Sequence, residues 1–143
     1  MGYRVYVVKG DPVALARARV SRGRFYDSQK HLKLIWGVEL EKQHNGQPFF
    51  IGPIFMDVIF YMPIAQNLSE KRRQLLYDQW HLSRPDSDNL LKFICDVATS
   101  ICYKDDCIIA KYNVEKVYDD GRGPRTEFIL SELSQKRTHR ELI

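Results

Sequence analysis

Apolar and polar positions along the chain switch between two periods, and the switches outline the elements. Residues 3–8 are β-branched and aromatic and stop at Gly10-Asp11-Pro12, which predicts a strand and a turn. An irregular stretch follows. Over 29–41, Leu32, Ile35, Trp36 and Leu40 recur at helical spacing opposite Lys30, Lys33 and Glu41, predicting a first helix. Asn45-Gly46-Gln47-Pro48 breaks it, and the apolar run IFMDVIFYM over 54–62, bounded by Pro53 and Pro63, predicts a central strand. Residues 65–84 carry Lys71, Arg72 and Arg73 with scattered apolar positions and read as a polar insertion or arm with a short helix over 69–80.

The strongest pattern lies over 87–102, where Leu90, Leu91, Ile94, Val97, Ala98 and Ile101 define one helical face and Pro85 stands just ahead. Residues 107–118 alternate, with Ile108, Ala110, Tyr112 and Val114 on one side and Lys111, Asn113 and Glu115 on the other, so a strand is expected. Residues 121–124 predict a hairpin turn and 126–132 the last strand, leaving a polar tail over 133–143 that should fray. The order β-α-β-α-β-β argues for an α+β fold, with a mixed or antiparallel sheet and helices packed on one face, rather than a doubly wound parallel fold. One domain over 1–143 accounts for the pattern.

Composition sharpens this modestly. With 44% hydrophobic and 12% aromatic residues the chain can bury a core, which excludes a disordered polar class. The net charge of +4 leans toward anionic partners. Its distribution says more, because Arg17, Arg19, Arg22 and Arg24 crowd one short segment and Lys30 and Lys33 follow it. Cys95, Cys102 and Cys107 form no CxxC pair, so reduced thiols and a cytoplasmic protein are expected, with neither a disulfide framework nor a zinc knuckle. No run suits a signal peptide or a membrane span, and MGYRVY does not fit a myristoylation motif.

The candidate chemistry sits in RPDSDNLLKFICD. At 100° per residue Asp88, Lys92 and Asp96 fall within about 80° of one another, opposite the leucines. Asp86 precedes the helix and can meet Asp88 near its N-terminus. The plainer account makes Asp86 or Ser87 a helix cap and lets Lys92 pair with Asp88 and Asp96, which is worth only about 0.3–1 kcal/mol. A second pair, Asp105-Asp106, opens the next strand, and a strand returning beside the helix would bring it to the same helix end. Carboxylates that close repel by about 1 kcal/mol in water and about 4 kcal/mol at an effective dielectric of 20, so a cation is needed. An all-oxygen set suits Mg²⁺, with Mn²⁺ as a substitute, whereas zinc would want thiols and histidines, and His31, His44, His81 and His139 are scattered. An EF-hand is excluded because Leu91 and Val97 occupy its glycine and glutamate positions, and no P-loop or GxGxxG is present. Metal-assisted phosphoryl transfer remains, with Lys92 available to stabilise developing charge.

RPDSDNLLKFICDVATSICYKDDCII resembles the core of the RusA-type Holliday junction resolvases, in which a D-x-D-N-x-x-K helix start is followed by a paired Asp leading into a strand. VEKVYDDGRGPRTEFIL is similar to that family's closing strands, and ARARVSRGRFYDSQK more weakly to its N-terminal part. The resemblance implies a RusA-like fold with Asp86, Asp88 and Asp106 holding the metal, Lys92 assisting, and Asp96, Asp105 and Asn89 in support. Where the family often has a glutamine two residues after the paired acids, this chain has Ile108. The basic segment then becomes a phosphate-binding arm, with Arg17, Arg19, Arg24 and Lys30 as contacts and Tyr26 as a stacking partner. The resemblance further implies a homodimer cutting four-way junction DNA in paired nicks, which agrees with a two-fold protein offering one site to each of two symmetry-related strands. Nucleases for flaps or forks, a DNA-binding module with a vestigial acid cluster, and a structural adaptor are the other readings.

Overall fold

The computed structural model describes residues 2–134, so most of the tail expected to fray lies outside the described residues. The elements run β1 (Tyr3–Lys9), β2 (Arg19–Ser21), β3 (Arg24–Tyr26), α1 (Lys30–His44), β4 (Ile54–Met62), α2 (Glu70–Leu76), α3 (Ser87–Ala98), β5 (Ile109–Tyr118) and β6 (Arg125–Glu132). Four strands form a mixed sheet in the order β1-β6-β4-β5, with β4 and β5 parallel and β6 antiparallel to both of its neighbours. The α+β class and the central position of β4 follow the sequence pattern.

Alternation in β4 explains the layering. Ile54, Met56, Val58 and Phe60 are fully buried, and across the sheet they align with Leu130 and Phe128 of β6. Helix α3 lays Leu90, Phe93, Ile94, Val97 and Ala98 on this face, and α1 adds Trp36 and Leu40, with Trp36 meeting Phe93 edge-on at 5.3 Å. Both helices thus cover one side. The other side, with Tyr3, Val5 and Ile129 exposed, has no covering element among the described residues.

Several expectations are corrected. Residues 121–124 do not close a hairpin: β5 and β6 are separated by β4, and the connection crosses the end of β4, where Asp119 N–H donates to the Met62 carbonyl at 2.8 Å. The Asp119 carboxylate accepts from Gly121 and Gly123, both at positive φ, which makes the crossing tight. Helix α3 stops at Ala98 rather than at 102, because Thr99 is extended and its hydroxyl, with that of Tyr103, takes the Cys95 carbonyl at 2.8 and 3.0 Å. Helix α2 stops at Leu76 rather than 80, since residues 79–81 leave to line the outer edge of β5, where His81 N–H donates to the Lys116 carbonyl at 3.0 Å. In α1, which runs on to His44, Ile35 is exposed, and Gly37 faces the interior instead, so close to Ile101 that a methyl group would sit 3.3 Å from it. The strand expected from 107 begins at Ile109, after a 3₁₀ turn over Asp106–Ile108; a register shift opposite Ile54 and Phe55 buries Ile109 out of phase with the alternation. The stretch after β1, read as irregular, contains the β2–β3 hairpin.

Candidate active site

Asp86 is the N-cap residue of α3, yet its side chain makes no capping hydrogen bond. Asp86 starts the helix through its backbone, whose carbonyl accepts from the Asn89 and Leu90 N–H groups at 3.2 Å, while its carboxylate takes no part in the cap. Asp88 is the second residue of the helix and pairs with Lys92 at 4.0 Å, with both side chains mostly exposed. Asp96, further along the same stripe, does not take Lys92; it takes Lys33 of α1 at 3.2 Å, and Lys33 also holds Asp27 at 2.6 Å. Bonding to Lys33 and to the Gln29 N–H puts the Asp27 carboxyl below its ordinary range.

The segment before α3 is fixed from below. Lys116, late in β5, donates to the Ser83 and Pro85 carbonyls, the latter at 2.7 Å, which anchors the chain immediately ahead of Asp86. Nothing in the spacing of the sequence singles out this lysine. Arg84, Pro85, Asp86 and Asn89 line one shallow cleft at the helix start.

Asp105 and Asp106 stand elsewhere. Asp105 caps the 3₁₀ turn by accepting from the Cys107 N–H at 2.9 Å, a bond that pulls its carboxyl down. The Asp106 carboxyl is pushed up, first by burial and then by the charges of Asp105 and Asp96. Its acidic neighbours are thus those of the C-terminal end of α3. β5 runs back along the helix, so its beginning lies at that end and Lys116 at the other. From Ile109 to Lys116 the strand spans about 23 Å at about 3.3 Å per residue. The expectation that Asp106 returns to Asp86 and Asp88 within one chain is not met. Among the described residues no group of three His, Cys, Asp or Glu side chains is close enough to hold a metal ion.

The basic segment is better built than the sequence suggested. Arg22 and Gly23 turn with positive φ between β2 and β3, and the register pairs Arg19 with Tyr26 and Ser21 with Arg24. Directly opposed residues share a face, so Arg19, Arg24 and Tyr26 lie together while Val20 and Phe25 occupy the reverse face, both exposed. A two-residue x-Gly turn between β-prone triplets was the available signal; arginine in place of the usual Asn or Asp at its first position obscured it. Leu15 N–H donates to the Asn89 carbonyl at 2.9 Å, tying the approach to the hairpin to the first turn of α3. Gln29 clamps the hairpin's base by bonding to the backbone of Ala14 and Ala16. Arg17 is exposed on the approach, and Lys30 opens α1 and lines one cleft with Asp96 of the α3 stripe.

The chain thus combines a small mixed sheet with helices on one face, an acid-bearing helix start and a basic hairpin. The family model of endodeoxyribonuclease RusA matches residues 9–130, and the chain belongs to that family. It is also 29% identical over 139 residues to a protein of Bacillus subtilis (strain 168) called "Uncharacterized protein YqaN", covering 90% of this chain and 96% of that one. No helix among the described residues is long and apolar enough to cross a membrane.

Proposed function

We propose that the protein is a Mg²⁺-dependent, structure-selective endonuclease that resolves Holliday junctions by paired nicks in DNA recombination and repair, and that it works as a homodimer. The observation that carries this reading is the uncapped Asp86 carboxylate beside exposed Asp88 and Lys92, next to a basic hairpin, in a RusA-family chain. The donors are all oxygens, which fits Mg²⁺ or Mn²⁺. Bound there, the ion would supply an activated water and shield phosphate charge. Asp86 and Asp88 would hold it from one helix start. Lys92 would face the scissile phosphate and stabilise its developing charge. Arg17, Arg19, Arg24 and Lys30 would fix the DNA backbone, and Tyr26 would stack on an unpaired base at the branch.

Asp106 belongs to this reading only across a subunit boundary. In its own chain its acidic neighbours are Asp105 and Asp96, at the end of α3 away from Asp86. A two-fold dimer allows Asp106 of one subunit to join Asp86 and Asp88 of the other. The experiment is cleavage of a synthetic four-way junction with and without Mg²⁺ at matched salt. Asp86→Asn and Asp106→Asn should each bind the junction and fail to cut it; a wild-type protein that binds the junction and never nicks it overturns the enzymatic reading. Flaps and forks in the same assay separate junction resolution from wider branch cutting.

The separation of the acids gives one other reading a specific footing, namely a DNA-binding module that does no chemistry. It predicts that Mg²⁺ leaves the melting temperature unchanged, whereas a site that binds the ion only when folded raises it.

A further inference from the structure

The stretch ahead of Asp86 has little of its own to hold it. From Leu82 to Pro85 no backbone group bonds to another backbone group among the described residues, and Pro85 has no N–H to give. Backbone left in that condition opens easily unless side chains from elsewhere supply partners. Lys116 of β5 supplies them. Its carbonyl accepts from the His81 N–H at 3.0 Å, and its ammonium donates to the carbonyl of Ser83 and, at 2.7 Å, to that of Pro85. One residue thus grips the lead-in to the helix at positions 81, 83 and 85.

The ammonium is committed to this task. Lys116 is partly buried, and no carboxylate pairs with it among the described residues. The neighbouring His81 ring is held below its ordinary pKa, first by burial and then by the Lys116 charge, so it stays neutral and does not push the ammonium away.

The consequence falls on Asp86. A peptide unit is planar, so holding the Pro85 carbonyl restrains the plane that also contains the Asp86 nitrogen and Cα. The next plane is held from the other side, because the Asp86 carbonyl accepts from the Asn89 and Leu90 N–H groups at 3.2 Å. With both planes restrained, the Asp86 backbone is kept at φ −69° and ψ 141°, which sets the direction of its Cα–Cβ bond and leaves only the side-chain torsions free. A carboxylate that caps nothing is thereby aimed by its backbone.

We propose that Lys116 is a positioning residue of the metal site, holding the chain ahead of Asp86 so that its carboxylate is presented beside Asp88 before the ion arrives. This rests on the Mg²⁺ reading of Asp86 and Asp88. A ligand on loose backbone must be ordered at the moment of binding, whereas one already held does not, and the difference appears as ion affinity. Lys116 acts through Asp86 and touches neither the ion nor the phosphate, which separates its role from that of Lys92 at the scissile phosphate.

Titration of the full chain with Mn²⁺, read from the electron paramagnetic resonance signal of the free ion, tests this without turnover. Lys116→Met keeps the side chain's length and removes its donors; it should raise the Mn²⁺ dissociation constant by about tenfold or more while leaving metal-free junction affinity within about twofold of wild type. Lys116→Arg keeps the charge and the donors and should recover most of that loss, and it stands in should the methionine variant not fold. A methionine variant that melts lower without metal yet binds Mn²⁺ as tightly as wild type makes Lys116 a prop for the fold alone and overturns the proposal. An arginine variant no tighter than the methionine one overturns it too. Wild-type protein that takes up no Mn²⁺ overturns the metal reading of Asp86 and Asp88 and this role with it, an outcome distinct from either variant result.

Discussion

Asp86, Asp88 and Lys92 are three exposed charged groups within two turns of helix whose local bonds are too weak to explain them. A 4.0 Å contact between two side chains more than half exposed contributes at most a fraction of a kcal/mol. Lys92→Met should therefore leave the melting temperature within about 1 °C while lowering the cleavage rate by about 10²–10³, the usual cost of losing one electrostatic partner of the transition state. A variant cutting at the wild-type rate would return Lys92 to the role of a surface charge. Asp106→Asn supplies the matching control for folding. Because burial, Asp105 and Asp96 all disfavour its charge, the metal-free variant should melt no lower than wild type. Lost cutting with an intact melting temperature assigns the effect to chemistry. The residue types of this site, and the stripe formed by Asp88, Lys92 and Asp96, were legible in the sequence because helical periodicity fixes which side chains share a face. The separation of Asp106 was not legible, since it depends on which way β5 runs relative to α3. Lys116, whose partners are backbone carbonyls more than thirty positions away, left no local trace at all.

At the scale of elements, the hairpin and its mooring carry the argument. Arg19 and Arg24 share a face, so replacing both by alanine should lower the slope of log binding constant against log salt by roughly two units if each neutralises one phosphate, with little change in fold. Titration of junction affinity against salt reads this directly. An unchanged slope would remove the hairpin from the interface. The mooring is sensitive to pH through Asp27. Its carboxyl lies below the ordinary range when folded, so the stabilisation is complete above the unfolded value and is lost as pH falls through the folded one. Lys33→Met should flatten this part of the acid unfolding profile, which melting curves in the acid range will show. The major helices and the central strand were readable because their periods of 3.6 and 2 are long and unbroken. The hairpin was hidden by its three-residue strands, which are too short to display a period. The crossing of residues 119–124 looked like a hairpin because turn residues announce a reversal without saying which strand lies on the far side of it.

For the whole molecule, one face of the sheet is filled by α1 and α3, the β1 edge is held at Val7 by Gln43, and the upstream part of the β5 edge has no strand partner among the described residues. Acids that a single metal would need lie at opposite ends of that free edge. In the proposed homodimer a symmetric partner would bring the divided acids together, and symmetry would give each dimer two equivalent sites, one for each strand to be nicked. Mixed dimers test this most directly. An Asp86→Asn subunit paired with an Asp106→Asn subunit carries both lesions in one site and none in the other, although each homodimer is inactive. The account predicts that mixing the two inactive proteins under conditions that exchange subunits restores Mg²⁺-dependent nicking of a four-way junction, one strand per dimer. Mixed dimers as inactive as their parents, with exchange verified, would contradict it.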